Sequence, residues 1–99
     1  MNLLQQKKIV LAGGEAMGYC CALPQAVLVY AVAPRGFIMC GYLDIQTADK
    51  FNDAACVVSG VATIDELLAR PVVRLTRAAE QRGVTTGMSG REALEKFFV

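Results

Sequence analysis

The stretch from Ala26 to Asp44 limits the possible folds more than any other part of the chain. Two apolar runs, AVLVYAVA at 26–33 and FIMCGYL at 37–43, flank the triplet Pro34-Arg35-Gly36. Proline presets φ and glycine is free to take positive φ, so the triplet reads as a tight turn. The first run is rich in β-branched and aromatic residues and suits a largely buried strand. The second, within GFIMCGYLD at 36–44, then has to return beside it as an antiparallel partner. A β-hairpin at the centre of a sheet is the expected consequence.

The remaining segments attach to that hairpin. KKIVLA at 7–12 reads as a first strand ending at Gly13-Gly14, and a second runs from Met17 to Leu23, where Pro24 interrupts it. After Asp44, Ile45, Ala48, Phe51 and Ala55 recur at three- or four-residue intervals with polar residues between them, the pattern of an amphipathic helix. Cys56 to Val61 read as one more strand of the same sheet. Thr63 with Glu66, and Ser89 with Glu92, each match the capping box that starts a helix. The first of these helices should stop before Pro71. The second should run through Ala93, Leu94, Phe97 and Phe98. Val72 to Leu75 can be a short strand or the start of the next helix, with the strand preferred; Thr76 to Arg82 suit a helix ended by Gly83. The fold expected is a single α+β domain over 1–99, a small and mostly antiparallel sheet with a central hairpin and three to four short helices packed on it.

Composition narrows the function classes. Apolar residues make up 55% of the 99 residues and charged residues 19%, against roughly 45–50% and 25% in an average soluble domain. A small chain with that excess tends to cover part of it with another copy of itself, so a homo-oligomer is expected. The net charge is +1, and the basic residues are interspersed with acids, a poor footprint for nucleic acid. The densest basic stretch, Arg70 to Arg82, holds only Glu80 as a counter-charge. The opening MNLLQQKKIVLAGG places lysines before an apolar run, but Ile9 to Ala12 is far shorter than a secretory h-region. No span could cross a bilayer. Cytoplasmic location, no membrane association and free thiols at Cys20, Cys21, Cys40 and Cys56 are therefore expected.

No catalytic or cofactor motif stands out. There is no histidine, so neither a Ser-His-Asp nor a Cys-His nucleophile can be assembled, even between identical subunits. The cysteines offer no C-x-x-C spacing, and a vicinal pair in a strand points to opposite faces, so no metal site and no cofactor are expected. IVLAGGEAMG at 9–18 approximates a dinucleotide-binding turn but has Glu15 where the second glycine belongs, and it reads as a turn between strands. Two constellations remain. Cys40 and Asp44 lie at the end of the hairpin's return strand, where a nucleophile and an acid could be mounted. Cysteine there is equally a small core residue, and Asp44 equally a helix N-cap. Ser89, Gly90 and Arg91 in GMSGRE could offer N–H groups, a hydroxyl and a guanidinium to an anion, although capping alone explains Ser89 and Glu92.

GFIMCGYLD, then GVATIDELL at 60–68, then AAEQRGVTTGMSGREAL at 78–94 together resemble, in order and spacing, the YunC-like family of uncharacterised bacterial and archaeal proteins. The vicinal Cys20-Cys21 stands outside that pattern. The resemblance implies a small α+β fold and a domain of unknown function, with no substrate or catalytic residue to transfer. The function expected is a self-associating binding or regulatory module without its own catalysis. The alternative is a small enzyme or sensor for an anionic metabolite that uses Cys40 and Asp44, with Arg91 as the anion anchor.

Overall fold

The computed structural model describes residues 4–99; residues 1–3, where the lysine-preceded opening begins, lie outside it. Six strands form one sheet in sequence order: β1 (Leu4–Leu11), β2 (Gly14–Ala22), β3 (Val27–Ala33), β4 (Gly36–Met39), β5 (Ala55–Val57) and β6 (Arg74–Leu75). Every neighbouring pair is antiparallel except β4 and β5, which are parallel. Parallel neighbours need a crossover. Helix α1 (Ile45–Lys50) supplies it, and α2 (Ile64–Ala69), α3 (Arg77–Gln81) and α4 (Gly90–Glu95) complete the α+β fold.

The expected hairpin is β3–β4, joined through Pro34-Arg35 with Ala33 opposite Gly36. The β1–β2 hairpin is longer, pairing Leu4 with Cys21 through Leu11 with Gly14. Gly14 takes φ +147° in its turn, a conformation that other residues seldom adopt. Of the stretch Val72 to Leu75, Arg74–Leu75 form the short strand β6, while Val72 and Val73 stand outside it.

Several boundaries differ from the sequence pattern, each for a local reason. Helix α1 stops at Lys50 because Asn52 adopts φ 60° and Asp53 N–H turns back to the Ala48 carbonyl at 3.0 Å. Phe51 is therefore not part of a buried stripe; it is 72% exposed. The return strand ends at Met39 rather than Leu43, since Leu43 N–H donates to the Cys40 carbonyl and closes a turn. Phe97 and Phe98 follow the C-cap Lys96 instead of belonging to α4.

Helices α2 and α4 pack on one face of the sheet. Gly18 of β2 faces Ile64 of α2, and Gly90 of α4 faces Ile38 of β4. The main core lies between these layers, with Val29, Ile38, Cys56, Leu67, Leu94 and Phe97 essentially excluded from water. Burying a large side chain of this kind contributes about 1.5–3 kcal/mol. Ala55 and Val57, on the opposite side of β5, are also fully buried. With Ala48 they stand apart from the main core, and α1 covers them there.

Two glycines set how closely these layers approach. A Cβ at Gly36 would lie 2.6 Å from the Ala54 carbonyl oxygen and 2.7 Å from Phe97 Cγ; one at Gly90 would lie 2.0 Å from the Leu67 carbonyl oxygen. Gly90→Ala is expected to destabilise the fold by about 3 kcal/mol, because α4 must be pushed off α2 to admit the methyl group. Urea unfolding checks this, and an unchanged midpoint would mean that the helices can separate without loss.

Candidate functional site

The strand-end constellation is built by two turns. Cys40 N–H donates to the Val29 carbonyl at 2.9 Å, which extends the β3–β4 register one residue past the strand. Its side chain is only 4% exposed, with Sγ 3.9 Å from the Val27 carbonyl oxygen. Asp44 follows as the N-cap of α1. Its carboxylate accepts from Gln46 N–H at 3.1 Å, Thr47 N–H at 3.3 Å and the Thr47 hydroxyl at 2.8 Å. The Thr47 hydroxyl, helped by the backbone N–H groups of Thr47 and Gln46, holds the Asp44 carboxyl below the ordinary aspartate value.

At the other constellation the capping box is complete. Glu92 N–H donates to Ser89 Oγ at 3.1 Å and Ser89 N–H donates to Glu92 Oε1 at 3.2 Å. Gly90 N–H donates to the Arg70 carbonyl at 2.9 Å. The backbone donors of Ser89, Gly90 and Glu92 thus already have protein acceptors. Arg91 is exposed and takes part in no ion pair among the described residues. No hydrogen bond or ion pair among those residues joins Cys40 or Asp44 to Ser89, Gly90 or Arg91.

Two concave regions lie side by side where α2 leaves the sheet uncovered, and they share Val27 and Ala62. The larger, about 700 Å³, is bounded by Gln5, Lys7, Cys20, Thr63 and Asp65; Lys7 and Asp65 are paired at 3.1 Å. The smaller, about 410 Å³, is bounded by Ala26, Cys40, Tyr42 and Gly60. Asp44, Ser89, Gly90 and Arg91 border neither. Cys20 Sγ contacts the Ala62 carbonyl oxygen at 3.7 Å. Burial pushes the Cys56 thiol up to about 12. All four cysteines are free. Among the described residues, no group of three or more Cys, Asp or Glu side chains is placed to hold a metal ion.

Two arginines of the basic stretch pair with acids distant in sequence or one helical turn away. Arg70 pairs with Glu66 and Arg77 with Asp49, each at 3.3 Å. Glu66 also accepts from Ala62 N–H at 2.8 Å, which, with Arg70 and Thr63 adding to it, lowers its carboxyl.

The second face of the sheet was hidden in the sequence. Side chains at Met17, Tyr19 and Cys21 of β2, Leu28, Tyr30 and Val32 of β3, and Phe37 and Met39 of β4 register with one another on that side. Leu4 and Val10 of β1 continue the set. Val32 is 41% exposed and Val10 71%, and the others from Met17 to Met39 are half-buried by their neighbours. Tyr19 and Tyr30 stack with ring centroids 5.0 Å apart. AVLVYAVA reads as a largely buried strand because it is apolar on both sides, yet only Val29, Ala31 and Ala33 enter the core. That apolarity on both sides was the available signal.

Residues 39–97 match the family described as Domain of unknown function (DUF1805). The chain is 38% identical over 92 residues to the uncharacterized protein YunC of Bacillus subtilis (strain 168), covering 89% of this chain and 91% of that protein. Its structure resembles the crystal structure of a protein of unknown function from Thermoplasma acidophilum, with a TM-score of 0.90 and 31% identity over 95% of this chain and 92% of that one.

Two outcomes follow from this geometry. In the native protein, iodoacetamide should label Cys20 at least about tenfold faster than Cys40 or Cys56, since alkylation needs an accessible thiolate. Peptide mass spectrometry reads the rates, and a Cys40 as fast as Cys20 would restore the nucleophile reading. Because the folded-state values of Asp44 and Glu66 are lowered, their stabilisation is complete above roughly pH 5 and disappears as pH falls through those lowered values. Asp44→Ala should flatten the acid limb of a urea-midpoint profile; superimposable limbs would remove Asp44 from the linkage.

Proposed function

The chain belongs to the YunC-like DUF1805 family, whose function is unknown, and we propose that it is a cytoplasmic, self-associating binding or regulatory module without catalysis of its own. One observation carries the reading: the apolar excess of the sequence is concentrated on the sheet face opposite α2 and α4, around the Tyr19–Tyr30 stack. Half-exposed apolar side chains in one continuous layer are what a partner surface provides, whereas scattered exposed hydrophobes need no explanation.

The chemistry of the other surfaces is consistent with this. The chain has no histidine, Cys40 is 4% exposed with its Sγ against the Val27 carbonyl, and the Asp44 carboxylate is occupied by the start of α1. Free thiols at all four cysteines suit a reducing compartment. No helix among the described residues is long and apolar enough to cross a membrane.

Sedimentation equilibrium at about 50 µM, a concentration that populates micromolar complexes, should give a mass that is a multiple of one chain. A clean monomer there would refute self-association.

A further inference from the structure

We infer that a second copy of this chain occupies the open sheet face, docked face to face through Tyr19, Tyr30, Val32 and their neighbours. This rests on the self-association reading and goes beyond it by naming the surface.

Size is the first argument. Strands β1 to β4 hold eight, nine, seven and four residues; at ~3.3 Å rise and ~4.8 Å spacing they present a footprint on the order of 440 Å². Two such faces together remove about 900 Å², the size of a weak, reversible interface and just under the ~1,000 Å² of a stable one. The face is built from a pleated sheet and is not a cavity; small-molecule sites are concave, and the two concave regions lie on the other side of the sheet, beside Cys20 and Val27.

Charge is the second. The charged residues on this side of β1 to β4 are Lys8 and Glu15, and they neutralise each other 3.8 Å apart. A nucleic acid or an acidic segment would find no uncompensated positive charge there. A face without net charge, apolar across β2 to β4 and polar only at Gln6, Lys8 and Glu15 towards the β1 edge, is complementary to a copy of itself in an isologous pairing. Sheets pack face to face about 10 Å apart, with inner side chains interdigitating, and the half-exposed Met17, Leu28 and Phe37 beside the tyrosine stack supply that layer.

The competing route, adding β1 of one copy to β1 of another, is opposed by the sequence. β1 is an edge of the sheet, but Lys7 and Lys8 stand at its middle and would be brought near their counterparts. Central lysines are a common protection of an edge strand against pairing.

The test compares wild type with Val32→Lys, a position exposed enough in one chain for lysine to be accommodated, and follows Cys21 with Cys20 as internal reference. Cys21 lies on the open face opposite Leu4 and Leu28, whereas Cys20 points to the other side. Val32→Lys should weaken association by roughly thirtyfold or more, as loss of a central interface residue does, with an unchanged circular dichroism spectrum. Iodoacetamide labelling of Cys21 relative to Cys20 should accelerate when wild type is diluted below the dissociation constant, and should be concentration-independent in the variant. If wild type associates but Val32→Lys associates equally well and Cys21 labelling ignores concentration, the face is wrong while self-association stands. A wild type that is monomeric throughout overturns both.

Discussion

The fold depends on how the C-terminal aromatic pair seats itself on two hairpin turns. Phe97 lies fully buried against Gly36, and its carbonyl accepts from Arg35 N–H at 2.7 Å. Phe98 lies across Gly13 and Gly14, where a Cβ on Gly13 would come within 3.0 Å of its ring. Turns that are far apart in sequence are thereby held by adjacent residues. Glycine is needed at these places because the rings occupy the space a side chain would take. The glycines that superficially suggested a phosphate-binding turn are accounted for by an aromatic ring above them.

Seating the C-terminus in this way brings α4 down on the sheet beside α2, and the contact of Gly90 with Leu67 fixes their separation. Both helices then lie on one side. A six-stranded sheet has two apolar faces in this sequence, and on the second the short helix α1 packs against β5, where it covers Ala55 and Val57. The open face over β1 to β4 is thus a geometric remainder of the packing. Its apolar character is the feature that the proposed self-association rests on, since an antiparallel sheet that simply faced water would be polar on that side.

Polar groups inside this arrangement are satisfied locally. Thr76, the one buried polar residue among those described, donates to the Asp53 carbonyl at 2.7 Å and accepts from Ala55 and Ala79 N–H at 3.1 and 3.2 Å. One hydroxyl thus ties the start of β5 to the start of α3. Charged residues remain at the surface, where ion pairs such as Arg77–Asp49 contribute little individually but offset two of the four arginines in the stretch that looked uncompensated in the sequence.

The sequence by itself determined the elements whose causes are local. The Ser89–Glu92 cap and the Asp44 cap depend on neighbours within a few residues, so residue type and spacing sufficed; the Pro34-Arg35-Gly36 hairpin was legible as well, although Gly36 makes room for Phe97 and does not take positive φ. The helix at Thr63 was equally visible, although Glu66 completes its cap through Ala62 rather than Thr63. Only the tertiary structure decided that Cys40 lies against Val27, that Phe51 is exposed, that Phe97 and Phe98 leave the helix to cover two turns, and which side of β3 meets water. Each of these is set by which distant segment arrives on a given face, and an apolar residue is compatible with a core or an interface until the packing leaves it one or the other.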